Sequence, residues 1–185
     1  MQRELVDRAK RGDHDAFTRL VDGSVDRLYT VATLILHDAD RAQDAVQEAL
    51  VSAWRDLPAL RDADAWDAWL YRLTVWSCYR HARRDRRRAV VELQAMPDAG
   101  NDHVDDISLP LAERDRLERE LGRLPVEQRA VIVTHFYLGF PISEVAEILG
   151  VPAGTAKSRL SRGLLALRDA LTSGPGSPAI EGRTP

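Results

Sequence analysis

The sequence predicts an all-helical protein: two small helical domains joined by a flexible acidic linker, the C-terminal one a helix-turn-helix. Three observations predict it. Apolar residues recur at helical spacing in nearly every patterned segment, and Val, Ile and Thr never form a long alternating run bounded by hairpin turns. Residues 92–110 turn polar, with Pro97, Gly100, Asn101 and several aspartates, which marks a connector. Near the C-terminus two helical patterns are separated only by a turn containing Gly150 and Pro152.

The elements follow in order. Residues 2–11 form a first helix that stops at Gly12. A second starts near Asp15 and carries Phe17, Leu20 and Val21 inward, and a third carries Leu28, Val31, Ala32 and Ile35. A fourth begins after Asp38 or Asp40, either of which can cap its free N–H groups, and runs to about Leu57. Its core stripe is Ala42, Val46, Ala49, Leu50, Ala53 and Leu57, with Trp54 at the border. LPALRDAD is a loop. A fifth helix covers about 65–88, with Trp69, Leu70 and Leu73 facing the core; periodicity leaves Trp66, Tyr71, Trp76 and Tyr79 open between core and surface.

The C-terminal module covers 111–172. In SEVAEILG, Val145, Ile148 and Leu149 share one face. Gly150 can take the left-handed conformation that ends a helix, and Pro152 forbids continuation. The next helix restarts near Thr155. Wound at about 100° per residue, it turns Ala156, Leu160, Leu164, Leu167 and Leu171 to the core. Thr155, Ser158, Arg162 and Leu165 fall opposite, Ser161 at one edge, and Lys157 and Arg159 on the flanks. The tail, 173–185, is rich in Gly and Pro and predicted disordered. Its IEGR resembles a processing-protease sequence and adds nothing to the fold.

Composition excludes several function classes. Hydrophobic residues make up 44% and charged residues 30% of the 185, as in a water-soluble globular protein. No apolar run approaches the roughly 20 residues that span a membrane, and the N-terminus lacks a secretory pattern, so a cytoplasmic location is expected. Cys78 is the one cysteine, which rules out an internal disulfide or a cysteine-built zinc site. The five histidines are scattered and no nucleophile, acid–base or metal spacing is present, so no enzyme activity and no cofactor is expected.

Charge is regional. The formal net charge is -3, yet YRHARRDRRR is densely basic and the 98–115 stretch acidic. The exposed side of the last helix is small near its start and rimmed by cations. That suits a DNA major groove: short side chains allow close approach, arginine pairs with guanine, and the flanks reach phosphates. A solvated basic face is the plainer reading, and the Gly-Pro turn, spacing and cationic rim together favour DNA. On the fifth helix, aromatics beside an arginine run suit single-stranded DNA, with bases on rings and arginines along the backbone; a charged helix end is the alternative for Arg80, Arg83, Arg84, Arg86, Arg87 and Arg88. On the fourth helix Val51 sits amid Asp44, Gln47, Glu48 and Arg55. An acidic-polar face with an apolar centre fits a basic protein partner, and a single stray exposed valine fits as well.

With these residues in place, the chain resembles the extracytoplasmic-function (ECF) class of bacterial RNA polymerase sigma factors. RGDHDAFTRLV is similar to the family's opening helices. DAVQEALVSAW resembles its segment that binds the clamp helices of the β′ subunit. AWLYRL with RHARRDRRR resembles the strand-melting and minus-ten segment. The 121–171 stretch is similar to the minus-thirty-five domain. The resemblance implies a region 2 domain over 1–91, a linker over 92–110, a region 4 helix-turn-helix domain over 111–172 and a disordered tail over 173–185. It implies polymerase contacts at Asp44, Gln47, Glu48 and Val51. A flipped base would be captured near 57–64. Minus-ten contacts would fall at Trp76, Arg80, Arg83, Arg84 and Arg87, and minus-thirty-five contacts at Thr155, Lys157, Ser158, Arg159, Ser161 and Arg162. The implied partners are core RNA polymerase (β′ clamp helices and β flap), promoter DNA and an anti-sigma factor, with no membrane insertion. Trp76 stands where the family usually has asparagine, Pro141 where it often has a capping serine, and Ala156 where valine is common. Two rivals remain: a stand-alone helix-turn-helix regulator, which would bind duplex tightly alone, and a sigma mimic that only occupies an anti-sigma factor.

Overall fold

A computed structural model describes the backbone of residues 1–92 and 111–172 and the side chains of 1–84 and 115–172. The predicted linker and tail, 93–110 and 173–185, lie outside the described residues.

Among the described residues every regular element is helical. The N-terminal half holds α1 (Gln2–Lys10), α2 (His14–Asp22), α3 (Val25–Leu36), α4 (Ala39–Asp56) and α5 (Trp66–Glu92). The C-terminal half holds α6 (Leu111–Arg123), α7 (Val126–Ile132), α8 (Ile142–Leu149) and α9 (Ala153–Thr172).

Local chemistry sets the boundaries. The Asp13 carboxylate accepts from the Ala16 amide at 3.0 Å and caps α2. Asp38, of the two predicted candidates, caps α4 through the Arg41 amide at 3.0 Å. His37, at φ 53°, and Gly150, at φ 63°, close α3 and α8 in the left-handed conformation. For His37 this is the costlier solution, since a Cβ crowds that region. The predicted 57–64 loop instead holds two short 3-10 turns, Leu57–Ala59 and Ala63–Ala65. Arg3 pairs with Asp64, and Gln2 Nε2 donates to Asp67 at 3.1 Å, which ties α1 to the start of α5.

Leu28, Val31 and Ile35 of α3, Ala42, Ala49 and Ala53 of α4, and Leu70 and Val75 of α5 fill the N-terminal core. Trp66, left open by periodicity, is fully buried, edge-on to Phe17 at 5.9 Å, while Trp54 stacks on His14 at 4.3 Å. Small α4 residues let α5 approach, and the aromatics fill the space that remains.

In the C-terminal half Val131, Val145, Leu149, Ala156 and Leu167 are buried. Leu164, expected in the core, is 39% exposed. Gly163 faces inward in its place: a Cβ there would sit 2.7 Å from Ile132 Cδ1. The helix therefore presents its glycine to α7, and that close approach rotates Leu164 outward. α9 also starts at Ala153, earlier than the predicted Thr155, because the Pro152 carbonyl serves as its first acceptor, taking the amides of both Thr155 and Ala156. After α7 the chain widens into a π-helical turn, Val133–Tyr137. Within it Phe136 and Tyr137 lie exposed.

The halves touch. α3 packs on α6 and α7, and α5 packs on α7 and α8.

Candidate nucleic-acid and partner interfaces

Three surfaces collect the predicted residues. The first is the outer side of α9. Lys157, Ser158, Ser161 and Arg162 are exposed within its first three turns, and Thr155 is half-buried beneath them. The Ser158 hydroxyl donates to Thr155 O at 3.0 Å, and Arg162 Nε donates to Ser158 O at 3.2 Å. Both side chains thus lie along their own helix, and a ligand could take them by a rotamer change. Arg159 differs: its guanidinium donates to the Tyr79 hydroxyl of α5 at 3.1 Å. α8 sets the angle of α9 through Gly150, whose left-handed backbone sends the chain back toward Pro152.

The second surface lies on α5. Trp76 is 42% exposed, and the Arg80 guanidinium sits 4.4 Å from its ring centroid. This is a cation–π contact within the distance at which such pairs attract. Arg83 is exposed, 5.9 Å from the ring of buried Tyr79, and Arg84 is exposed. Arg87 belongs to α5 by its backbone, but its side chain lies outside the described residues.

The third surface is the outer side of α4. Asp44 and Gln47 are exposed, and Val51 is 64% exposed. Glu48 differs from these three. It is half-buried and forms an ion pair with Arg80. Its Oε2 also lies 2.7 Å from His81 Nε2 and accepts from Ser77 Oγ at 3.3 Å. Glu48 therefore belongs to the α4–α5 seam, and the exposed centre of the face is Val51 with Asp44 and Gln47. Periodicity placed Glu48 on the outer side, but not the reach of α5's polar residues toward it.

No helix among the described residues is long and apolar enough to cross a membrane, and none of them form a group of three His, Cys, Asp or Glu suited to a metal. Cys78 is fully buried, and burial pushes its thiol up to about 12, so it is an inert core residue.

What sequence reasoning missed is the contact between the halves. Arg72 of α5 pairs with Glu144 of α8, with Nε to Oε1 at 2.7 Å. Arg27 lies over the rings of both Tyr71 and Tyr137, at 5.1 and 5.8 Å. Residues 72 and 144 are far apart in sequence, and no local pattern announces such a pair.

Comparison with known proteins gives the same division. The model for sigma-70 region 2 matches residues 20–88, and that for sigma-70 region 4 matches 114–167. The ECF RNA polymerase sigma factor SigM of Mycobacterium tuberculosis is 33% identical over 159 residues, covering 86% of this chain and 79% of its own. SigW of Bacillus subtilis, also an ECF RNA polymerase sigma factor, is 28% identical, covering 92% and 97%. Among solved structures, the sigma factor RpoE of Bartonella quintana in complex with the anti-sigma factor NepR aligns with TM-score 0.64 and 25% identity, over 85% of this chain and 97% of that one. CnrH, in complex with the cytosolic domain of CnrY, aligns with TM-score 0.59 and 27% identity, over 92% and 96%.

Proposed function

The chain belongs to the ECF family of RNA polymerase sigma factors, and on that premise we propose how its surfaces divide the work of promoter-directed transcription initiation. As a sigma factor it binds core RNA polymerase and directs it to a subset of promoters. The observation that carries the reading is the ordered pair: a region 2 match over α3–α5 and a region 4 match over α6–α9. A lone helix-turn-helix would fit many DNA-binding proteins; the two modules in this order fit a sigma factor.

In the proposed division, Asp44, Gln47 and Val51 of α4 meet the β′ clamp helices, where an apolar centre in a polar rim suits a protein contact. Glu48 borders that contact and fixes α5 beside it. Trp76 offers its ring to an unstacked base of the minus-ten strand, while Arg80, Arg83, Arg84 and Arg87 follow the strand's phosphates. α9 enters the major groove of the minus-thirty-five duplex. There Arg162, Ser158 and Ser161 face base edges, and Thr155, Lys157 and Arg159 reach the flanks. The chain carries out no catalysis of its own in this scheme and needs no cofactor. The β flap would hold the region 4 half. Acting on RNA polymerase, the protein would work in the cytoplasm. An anti-sigma factor is a further proposed partner, as the sigma factor RpoE of Bartonella quintana was captured with one.

Each DNA contact alone is weak, and linkage through polymerase multiplies them as an effective concentration. The acidic balance of the chain fits this design, because net negative charge disfavours binding to DNA without polymerase. In vitro transcription with core polymerase on genomic DNA, with and without the protein, tests the reading. New promoter-specific transcripts are expected. Their absence would overturn it in favour of a stand-alone regulator or a mimic, and tight duplex binding by the free protein would single out the regulator.

A further inference from the structure

Three residues of α5 converge on one carboxylate of α4. Arg80 forms an ion pair with Glu48, Ser77 Oγ donates to Glu48 Oε2 at 3.3 Å, and His81 Nε2 lies 2.7 Å from the same oxygen. Positions 77, 80 and 81 share one helix face, so a single turn of α5 surrounds the acid. The Arg80 and Glu48 side chains are only 34% and 27% exposed, so salt screens this pair less than one at the open surface. From that anchor the Arg80 guanidinium lies over the Trp76 ring, 4.4 Å from its centroid, while Trp76 stays 42% exposed. Arg80 Nε is buried and has no hydrogen-bond partner among the described residues. A buried donor left unpaired is costly, so the ion pair and the ring hold Arg80 where it is. Arg83 and Arg84, by contrast, are exposed.

Each of these contacts has a counterpart in melted DNA. The Glu48 carboxylate occupies the arginine as a phosphate would, with the same charge and the same forked acceptor. The Arg80 guanidinium covers the indole as a base would, since planar cations and bases both stack on an aromatic ring. The two halves of the exchange are tied together through one side chain. Drawing Arg80 away from Glu48 also takes it off Trp76. A melted strand brings a phosphate for the arginine and an unstacked base for the ring, so both lost contacts are replaced. A closed duplex brings the phosphate alone, because its bases stay stacked on one another. It would break the ion pair and leave the ring bare.

We propose that Glu48 is a specificity-determining residue for the α5 surface: by holding Arg80 over Trp76 it makes that surface favour melted strand over closed duplex. This rests on the strand reading of α5 given above. Glu48 acts through Arg80 and touches no DNA itself. The contact is the kind that yields to a matched ligand, because the ion pair is partly solvated and the buried Nε gains nothing by staying.

Holoenzyme formed at saturating core polymerase tests it on two templates of one promoter sequence, one closed and one pre-melted through the minus-ten element. The measured quantity is the ratio of the two affinities, which a change in polymerase affinity does not enter. Glu48→Gln keeps the shape of the side chain and an acceptor for Ser77, and removes the charge that holds Arg80. It should tighten binding to closed duplex by about 3- to 10-fold, the scale of coupling between two residues in contact. The gain on pre-melted template should be smaller, so the preference for melted DNA falls. In an Arg80→Ala background the same change should leave the ratio unmoved. That separates the hold on the arginine from the general effect of one negative charge fewer, which would persist there. Arg80→Lys keeps the ion pair but not the flat contact with the ring, and should lower the ratio in the same direction. A ratio indifferent to Glu48→Gln, or one that shifts equally without Arg80, overturns the proposal. Trp76→Ala on the same templates keeps the two readings apart. If it leaves pre-melted binding intact, the strand reading falls and this proposal falls with it. If it weakens pre-melted binding while Glu48→Gln leaves the ratio unmoved, the strand reading stands and this proposal alone is overturned.

Discussion

α5 and α9 both carry residues assigned to DNA, and they carry them differently. On α9, among the described residues, Ser158 and Arg162 bond to their own helix backbone, and Lys157 and Ser161 are exposed beside them. On α5, Arg80 is paired with Glu48 and laid over Trp76, and buried Tyr79 holds Arg159. In the proposed division the α9 surface takes a rigid duplex, whose groove has one shape. The α5 surface is organised by its own neighbours and, in that division, would exchange those contacts for a flexible strand. The two halves are also built differently. An aromatic cluster fixes α5, whereas a glycine lets α9 settle against α7.

The largest expected effect tests that difference in construction. Trp66→Ala removes a fully buried indole from between Phe17 and Trp69 and should cost about 3–5 kcal/mol of stability. Denaturant unfolding followed by amide exchange should show the loss concentrated in α1–α5. An equal loss of protection in α7–α9 would mean the halves unfold as one unit, and the contrast drawn here would fail.

Two matched substitutions test the DNA surfaces in holoenzyme. Arg162→Ala should cost about 1–3 kcal/mol in binding to duplex carrying the minus-thirty-five element, and should relax base preference there. Trp76→Ala should cost about 1–3 kcal/mol on a pre-melted template, for the loss of one stacked base, with little change on closed duplex. Equal losses on both templates for either variant would erase the distinction between a duplex reader and a strand holder. Val51→Asp comes next. It puts charge at the apolar centre of the α4 face and should weaken core polymerase binding by about 1–2 kcal/mol, the scale of a moderate interface residue. Competition for core polymerase reads it, and normal holoenzyme assembly would return Val51 to the status of a stray exposed valine.

Much of this was legible in the sequence, where a single helix decided the matter. The α3 core residues, the Gly150 stop and the α4 stripe all follow from spacing within one element. Leu164 was misread because periodicity assigns faces by side-chain hydrophobicity, and a glycine at a close crossing carries none. Trp66 stayed open because a tryptophan at the first turn of a helix suits core or surface equally, until Phe17 is brought against it from α2. Glu48 reads as an outward acid on α4 until Ser77, Arg80 and His81 arrive from α5. The contact between the halves was invisible, because Arg72 and Glu144 belong to different halves and neither breaks its own helical pattern.

The smallest effect concerns acid. α2 is capped by Asp13, whose carboxyl is held below its ordinary value by the Ala16 amide and by Arg8. Asp64, before α5, is held low by Arg3. A carboxyl depressed in the folded state favours folding above its unfolded value, near pH 4, and that advantage disappears as pH falls through the folded value. Both groups lie in the N-terminal half. In the C-terminal half α7 and α8 start after Pro125 and Pro141, with no titrating cap at either. Mild acidification between about pH 4 and pH 2 should therefore loosen α1–α5 before α7–α9, by a small margin because these groups are solvated. Asp13→Asn keeps a capping oxygen and removes the proton site, so it should flatten the acid limb of the N-terminal half while leaving stability at pH 7 slightly lower for want of the Arg8 pair. Residue-resolved exchange across that pH range reads the order. Loss of α7–α9 first would show that acid acts on the chain through groups other than these.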